Sequence, residues 1–370
     1  MVNSNVGSLT LTVNQMVDYL SSSYIALIKS ALPIKIFPSV MLWGAPGVGK
    51  SQGIRQVATQ IAEKTGKKVE ITDVRLLLFN PVDLRGIPTT NADKTLAVWL
   101  KPKIFQMDES DDVINILFLD EISAAPQSVQ AAAYQITLDR MVGEHKLPDN
   151  CIVIAAGNRV TDRSVAYTMP KALANRLCHM DIDCDHNSWH EWAIESGINS
   201  MVLGFLECNP SMLMKFNPSS DSLAFPTPRS WEMVSNIFNY VTDDIEDVFP
   251  IIVGCIGEPA AYELKTWSEV YNRIPKVESV FEGSATGVPL RPENLYALAS
   301  QIVMYARSHH SQFELKNAID YVSQLPMEFK NSIFTDLLHI KGIHKQLYQN
   351  RVYDDWFMRS GRYWEDYGIE

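Results

Sequence analysis

The segment GAPGVGKS sets Gly44, Ala45, Pro46, Gly47, Val48 and Gly49 ahead of Lys50 and Ser51. A backbone freed by glycines can turn its N–H groups inward around a phosphate chain. A lysine at this position reaches the outer phosphates, and the following hydroxyl can hold Mg²⁺. A second chemical signal lies in ILFLDEIS, where a buried-type apolar run ends in two adjacent acids, Asp120 and Glu121. Carboxylates rarely sit beside a core without a task. Asp120 would share a Mg²⁺ shell with Ser51, and Glu121 could accept a proton from an attacking water or orient it. A third signal is Asn158, which closes IVIAAGN. Its amide can bind a γ-phosphate or the attacking water. Alone it would read as a turn former, and the order of the three segments gives it weight.

Placing these groups on one edge requires strands that end beside them. SVMLW (39–43), KVEITDV (68–74), INILFLD (114–120), CIVIAAGN (151–158) and HMDID (179–183) read as five strands alternating with amphipathic helices. That pattern predicts an α/β fold with a five-stranded parallel sheet covered on both faces. Ligands of such sheets collect at the carboxyl edge. After Lys50, apolar residues at 54, 57, 58, 61 and 62 keep helical spacing, and Gly66 supplies the stop. The phosphate loop thus falls between a strand and a helix N-terminus, where the helix dipole favours an anion. Beyond Trp189 the strand signal fades, and long helical stretches follow.

With 370 residues, 46% of them hydrophobic, the chain is long enough for two domains, and its net charge of −11 argues against a general nucleic-acid binder. Five cysteines, odd in number and without a C-x-x-C pair, fit reduced thiols. With no membrane-length apolar run and no basic, apolar-centred leader, the sequence reads as cytoplasmic. The cluster CHMDIDCDH (178–186) offers metal-ligand types, but its spacing matches no paired-ligand pattern. It reads instead as a strand with Met180 and Ile182 inward and His179, Asp181 and Asp183 outward.

The ordered motifs GAPGVGKS, VDLRGIP, ILFLDEIS, IVIAAGN, ALANRL and TPRSWE resemble the AAA+ ATPases, and within them the MoxR-type branch related to magnesium chelatase and dynein-like modules. The resemblance spans about residues 10–310. It implies a P-loop AAA+ core with a helical lid, an arginine finger at Arg176 that acts on a neighbouring subunit's ATP, and a sensor arginine at Arg229. Where the branch typically reads LDRF, this chain reads LANRL and keeps the arginine. Residues 82–106 resemble the helix-2 insertion of this branch, with a hairpin arm in LAVWLKPKIF. A strand-turn-strand signal around Gly143 marks a second arm at 139–148.

The organisation expected is an N-terminal helical segment (1–35), an ATPase core (36–188), a helical lid (189–310) and a C-terminal helical extension (311–370). The resemblance further implies Mg²⁺-dependent ATP hydrolysis in a ring, hexameric by expectation, that remodels a protein partner bearing a von Willebrand factor A domain. The alternative is a nucleic-acid-directed or defence-system motor, which the net charge disfavours. Absence of an N-K-x-D motif disfavours a GTPase, and the paired acids with two later arginines disfavour a small-molecule kinase.

Overall fold

The computed structural model describes residues 9–159, 162, 169 and 171–360, which form two compact units. The first comprises residues up to Asp185 together with Asn217–Ser220; the second comprises His186–Phe216 and the chain from Asp221 onward. The termini at 1–8 and 361–370, part of the expected N-terminal segment and tail, lie outside the described residues.

In the first unit the strands are β1 (Thr10–Leu11), β2 (Val40–Trp43), β3 (Lys68–Arg75), β4 (Ile87–Thr90), β5 (Ala97–Leu100), β6 (Val113–Asp120), β7 (Met141–Val142), β8 (His145–Lys146), β9 (Cys151–Gly157) and β10 (Cys178–Ile182). Its helices are α1 (Val13–Lys29), α2 (Lys50–Thr65), α3 (Pro81–Arg85), α4 (Gln127–Asp139) and α5 (Lys171–Ala174). The main sheet runs β1-β10-β2-β9-β6-β3, and every pair in it is parallel. The five expected strands are present, but the sheet has six. The short β1, in a segment expected to be helical, adds itself to the edge of β10 just before α1 begins. Two residues of extended chain carry too little periodicity to be read as a strand.

The central strands β2, β6 and β9 are buried almost throughout, as continuous apolar runs covered on both faces should be. Against them α2 turns Ile54, Val57 and Ile61 inward and stops at Gly66, whose φ of 70° suits glycine. The alternation expected in β10 does not hold: Asp181 is buried, and His179 is half-buried with its Nδ1 accepting from Trp43 Nε1 at 2.8 Å. The cause is local: Arg159 Nε covers Asp181 Oδ1 at 2.8 Å, and the Trp43 indole covers His179, so partners from other segments take the place of solvent. Among the described residues no cluster of metal-ligating side chains is present, and none of the five cysteines is paired.

Both expected hairpins form, the first only in part: of LAVWLKPKIF the strand takes Ala97–Leu100, and Lys103–Phe105 makes a short 3-10 turn. β4 and β5 pair antiparallel from Ile87↔Leu100 to Thr90↔Ala97, and β7 pairs with β8 around Gly143. They also meet each other: Trp99 N donates to Glu144 Oε1 at 3.0 Å, and His145 Nε2 lies 2.7 Å from Trp99 O. Gly143, at a φ of 58°, passes so close to Arg85 O that a Cβ would lie 2.5 Å from it.

The described part of the second unit is helical without strands. Its longest helices include Pro228–Tyr240 and Pro292–Ala306, and the last described one is Arg351–Ser360. Among the described residues no helix is long and apolar enough to cross a membrane.

Candidate active site

The exit of β2 becomes the phosphate loop at Gly44. Gly47 (φ 82°) and Gly49 (φ 105°) take left-handed conformations that side chains disfavour, which explains two of the glycines locally. Gly44 is required for a different reason: a Cβ there would lie 2.6 Å from Ile182 O at the end of β10. Lys50 opens α2 and folds back over the loop. Its Nζ donates to Gly44 O at 2.6 Å, to Ala45 O at 3.1 Å and to Asn158 Oδ1 at 3.3 Å. The side chain is buried, an arrangement a long cation tolerates only when its head is hydrogen-bonded.

Ser51 Oγ donates to Asp120 Oδ2 at 3.1 Å, so the loop and the end of β6 meet through one short contact. The other oxygen of Asp120 accepts from Glu121 N at 2.8 Å. Glu121 is exposed and has a φ of 59°, a left-handed conformation that costs a non-glycine residue free energy and that it shares with Ala31, Lys94 and Arg140. The turn beneath it is fixed from the core. Ile122 N donates to Ala156 O at 2.9 Å, and Gln130 Nε2 donates to Ser123 O and Ala125 O. Ser123 in turn accepts from Asn158 N at 3.0 Å, tying the turn after β6 to the end of β9.

Opposite Asp120 in the register of β3 stands Arg75, and two residues before it is Asp73. Partial burial, and next the negative charge of Asp120, push the Asp73 carboxyl above its ordinary range, while Arg75 and Arg55 pull the other way. The Ser51 hydroxyl and the Asp120 carboxylate, 3.1 Å apart, are hard oxygen donors of the kind Mg²⁺ takes.

Lys50, Ser51, Asp120 and Asn158 are therefore brought together at one carboxyl edge, with Glu121 next to Asp120. Arg176 is exposed in the turn between α5 and β10. Arg229 belongs to the second unit, exposed in the first turn of its helix between buried Pro228 and Ser230. Sequence reasoning missed Ser123, Asp73 and Arg159. Arg159 Nε pairs with Asp181 Oδ1 at 2.8 Å, and its only signal in the sequence was that it directly follows Asn158.

A parallel sheet with a glycine loop leading into a helix, and a strand-end acid on the loop hydroxyl, defines a P-loop nucleotide-binding core. Residues 39–179 match the family described as "ATPase family associated with various cellular activities (AAA)", and that match together with the site marks this stretch as an ATPase. Among curated protein sequences no significant match is found. Of solved structures, a putative ATPase from Cytophaga hutchinsonii is similar at 16% identity, covering 88% of this chain and 94% of that one, with a TM-score of 0.32. NtrX from Brucella abortus in complex with ADP is similar at 14% identity over 90% of this chain and 69% of that one, TM-score 0.37. A RuvB mutant from Thermotoga maritima is similar at 14% identity over 84% and 92%, TM-score 0.34. At TM-scores this low the likeness is loose, and the assignment rests on the family match and the site's own geometry.

Proposed function

We propose that the chain is a MoxR-type AAA+ subunit that hydrolyses ATP with Mg²⁺ in a ring, hexameric in our reading, and uses the energy to remodel a protein partner bearing a von Willebrand factor A domain. The observation that carries the hydrolytic part is the Ser51–Asp120 contact at 3.1 Å beside Lys50 and Asn158. ATP enters with its phosphates on the loop N–H groups and the α2 N-terminus. Lys50 exchanges backbone and amide oxygens for phosphate oxygens. Ser51 and Asp120 would hold Mg²⁺, which neutralises charge on the β and γ phosphates. Glu121 takes the proton of the attacking water, and Asn158 orients that water or the γ-phosphate. Arg176, exposed in its own subunit, completes the site of the next one, and Arg229 senses nucleotide from the helical unit. The two linked hairpins are the surface we assign to the partner, and the helical second unit is the lid.

Subunit mixing tests the ring and the site together. Arg176→Ala and Glu121→Gln subunits should each bind ATP and each fail to hydrolyse it. Mixed, they should recover part of the rate, because some interfaces then join an intact Glu121 to an intact Arg176. Verified mixed rings with no recovery at any ratio would count against the trans arginine, and unaltered ATP affinity in Lys50→Ala would remove the site itself.

A further inference from the structure

Arg159 sits one residue beyond Asn158, where β9 leaves the sheet. Its side chain does not turn to solvent. Nε donates to Asp181 Oδ1 at 2.8 Å and Nη2 to Ile182 O at 3.2 Å, both at the end of β10. Between β9 and β10 lies β2, with Gly157 and Asp181 both in register with Trp43. The guanidinium therefore crosses two strand spacings, over the exit of the strand that becomes the phosphate loop. The carbonyl it grips, Ile182 O, is the one that crowds Gly44.

The backbone around it is equally fixed. Arg159 N donates to Asp162 Oδ2 at 2.9 Å, and Asp162 N returns a bond to Arg159 O at 3.0 Å. Asn158 N is held by Ser123. Asn158 is thus clamped on one side by the turn carrying Glu121 and on the other by Arg159. Asp181 and Asp162 are both buried, so each carboxylate depends on its hydrogen bonds in place of water. The planar guanidinium meets Asp181 Oδ1 through Nε and Ile182 O through Nη2, a fixed two-point geometry that an ammonium, with all its donors on one nitrogen, does not reproduce.

We propose that Arg159 is a positioning residue for hydrolysis: through Asp181 and Ile182 it fixes Asn158 against the phosphate loop and ties both to β10, which begins just after Arg176. The proposal rests on the ATPase reading above. A brace with this placement should affect the chemical step more than nucleotide capture, since the loop N–H groups and Lys50 remain in place.

The test uses the full chain and its assembly. Parent activity and its loss in Lys50→Ala are measured first, so that an inactive parent retires the ATPase reading together with the brace. Arg159→Met should then lower kcat at least tenfold while Kd for a fluorescent ATP analogue stays within threefold and the melting temperature holds. Arg159→Lys, which keeps the charge but not the fork, should lose about threefold in kcat. A folded Arg159→Met with parental kcat overturns the proposal. So does a parallel collapse of kcat, ATP affinity and melting temperature, which marks a merely structural ion pair. If Arg159→Met does not fold, Arg159→Lys decides, and full kcat in that variant is the overturning result.

Discussion

Lys50 in the first unit and His190 in the second are both basic side chains withdrawn from water, and they are held in opposite ways. Lys50 rests on backbone and amide oxygens of Gly44, Ala45 and Asn158. Those are dipoles that a phosphate can replace. His190 lies between two carboxylates: Nε2 is 3.0 Å from Asp336 Oδ1, and Nδ1 is 2.6 Å from Glu207 Oε1, off the axis of an aligned hydrogen bond. Burial alone would lower the His190 pKa, but Asp336 and Glu207 outweigh it and lift the pKa to about 10. Burial likewise favours neutral Glu207, yet His190 and, less strongly, His186 hold it below its ordinary range. One cluster is arranged to exchange partners; the other is closed, joining the helices His186–Ser196, Ser200–Cys208 and Met327–Leu338. Breaking a salt-bridged cluster leaves an uncompensated charge, so the His190 cluster should answer to mutation chiefly through stability.

The contrast breaks most visibly at Glu121. Glu121→Gln should slow hydrolysis about 10²–10⁴-fold while leaving ATP binding and the melting temperature near parental values. Single-turnover ATPase assays beside equilibrium binding would check this, and parental turnover would remove Glu121 from the chemistry. The opposite profile is expected at His190. Replacing it with Gln leaves the half-buried Asp336 without its cation and Glu207 with only His186 nearby, and should cost about 2 kcal/mol, read by denaturant unfolding at pH 6.5, with loss concentrated in the second unit.

The pH dependence sharpens the same contrast. His190 holds its proton more tightly when folded, so its stabilisation is complete below its ordinary value of 6.5 and fades as pH rises through about 10. The stability gap between parent and His190→Gln should therefore shrink from pH 6.5 to pH 10, and a constant gap would mean that the histidine is not charged in the fold. The smallest effect concerns backbone strain. Glu121→Gly relieves a φ of 59° and should raise stability by up to about 1 kcal/mol while abolishing turnover, measurable as a higher melting temperature in an inactive protein.

The sequence alone placed the phosphate loop, the Asp120–Glu121 pair, Asn158 and five of the six strands of the main sheet. These are local signals: glycines at fixed offsets, apolar runs that stop at acids, and helical spacing after Lys50. Both hairpins were legible for the same reason, because turn residues and alternation are short-range. Only the tertiary structure could join those hairpins through Trp99, Glu144 and His145, add β1 to the sheet, or bury Asp181 against Arg159. Asp181 shows why most clearly. Alternation along β10 pointed it to solvent, but whether a strand face is wet depends on what packs over it, and there the Arg159 side chain lies over Asp181. Partners 22 residues apart for Arg159 and Asp181, and 146 apart for His190 and Asp336, leave no periodic trace in the chain. Their pairing is decided where strands and helices pack, since an ion pair is set by distance in space, and spacing along the chain fixes that distance only within a single element.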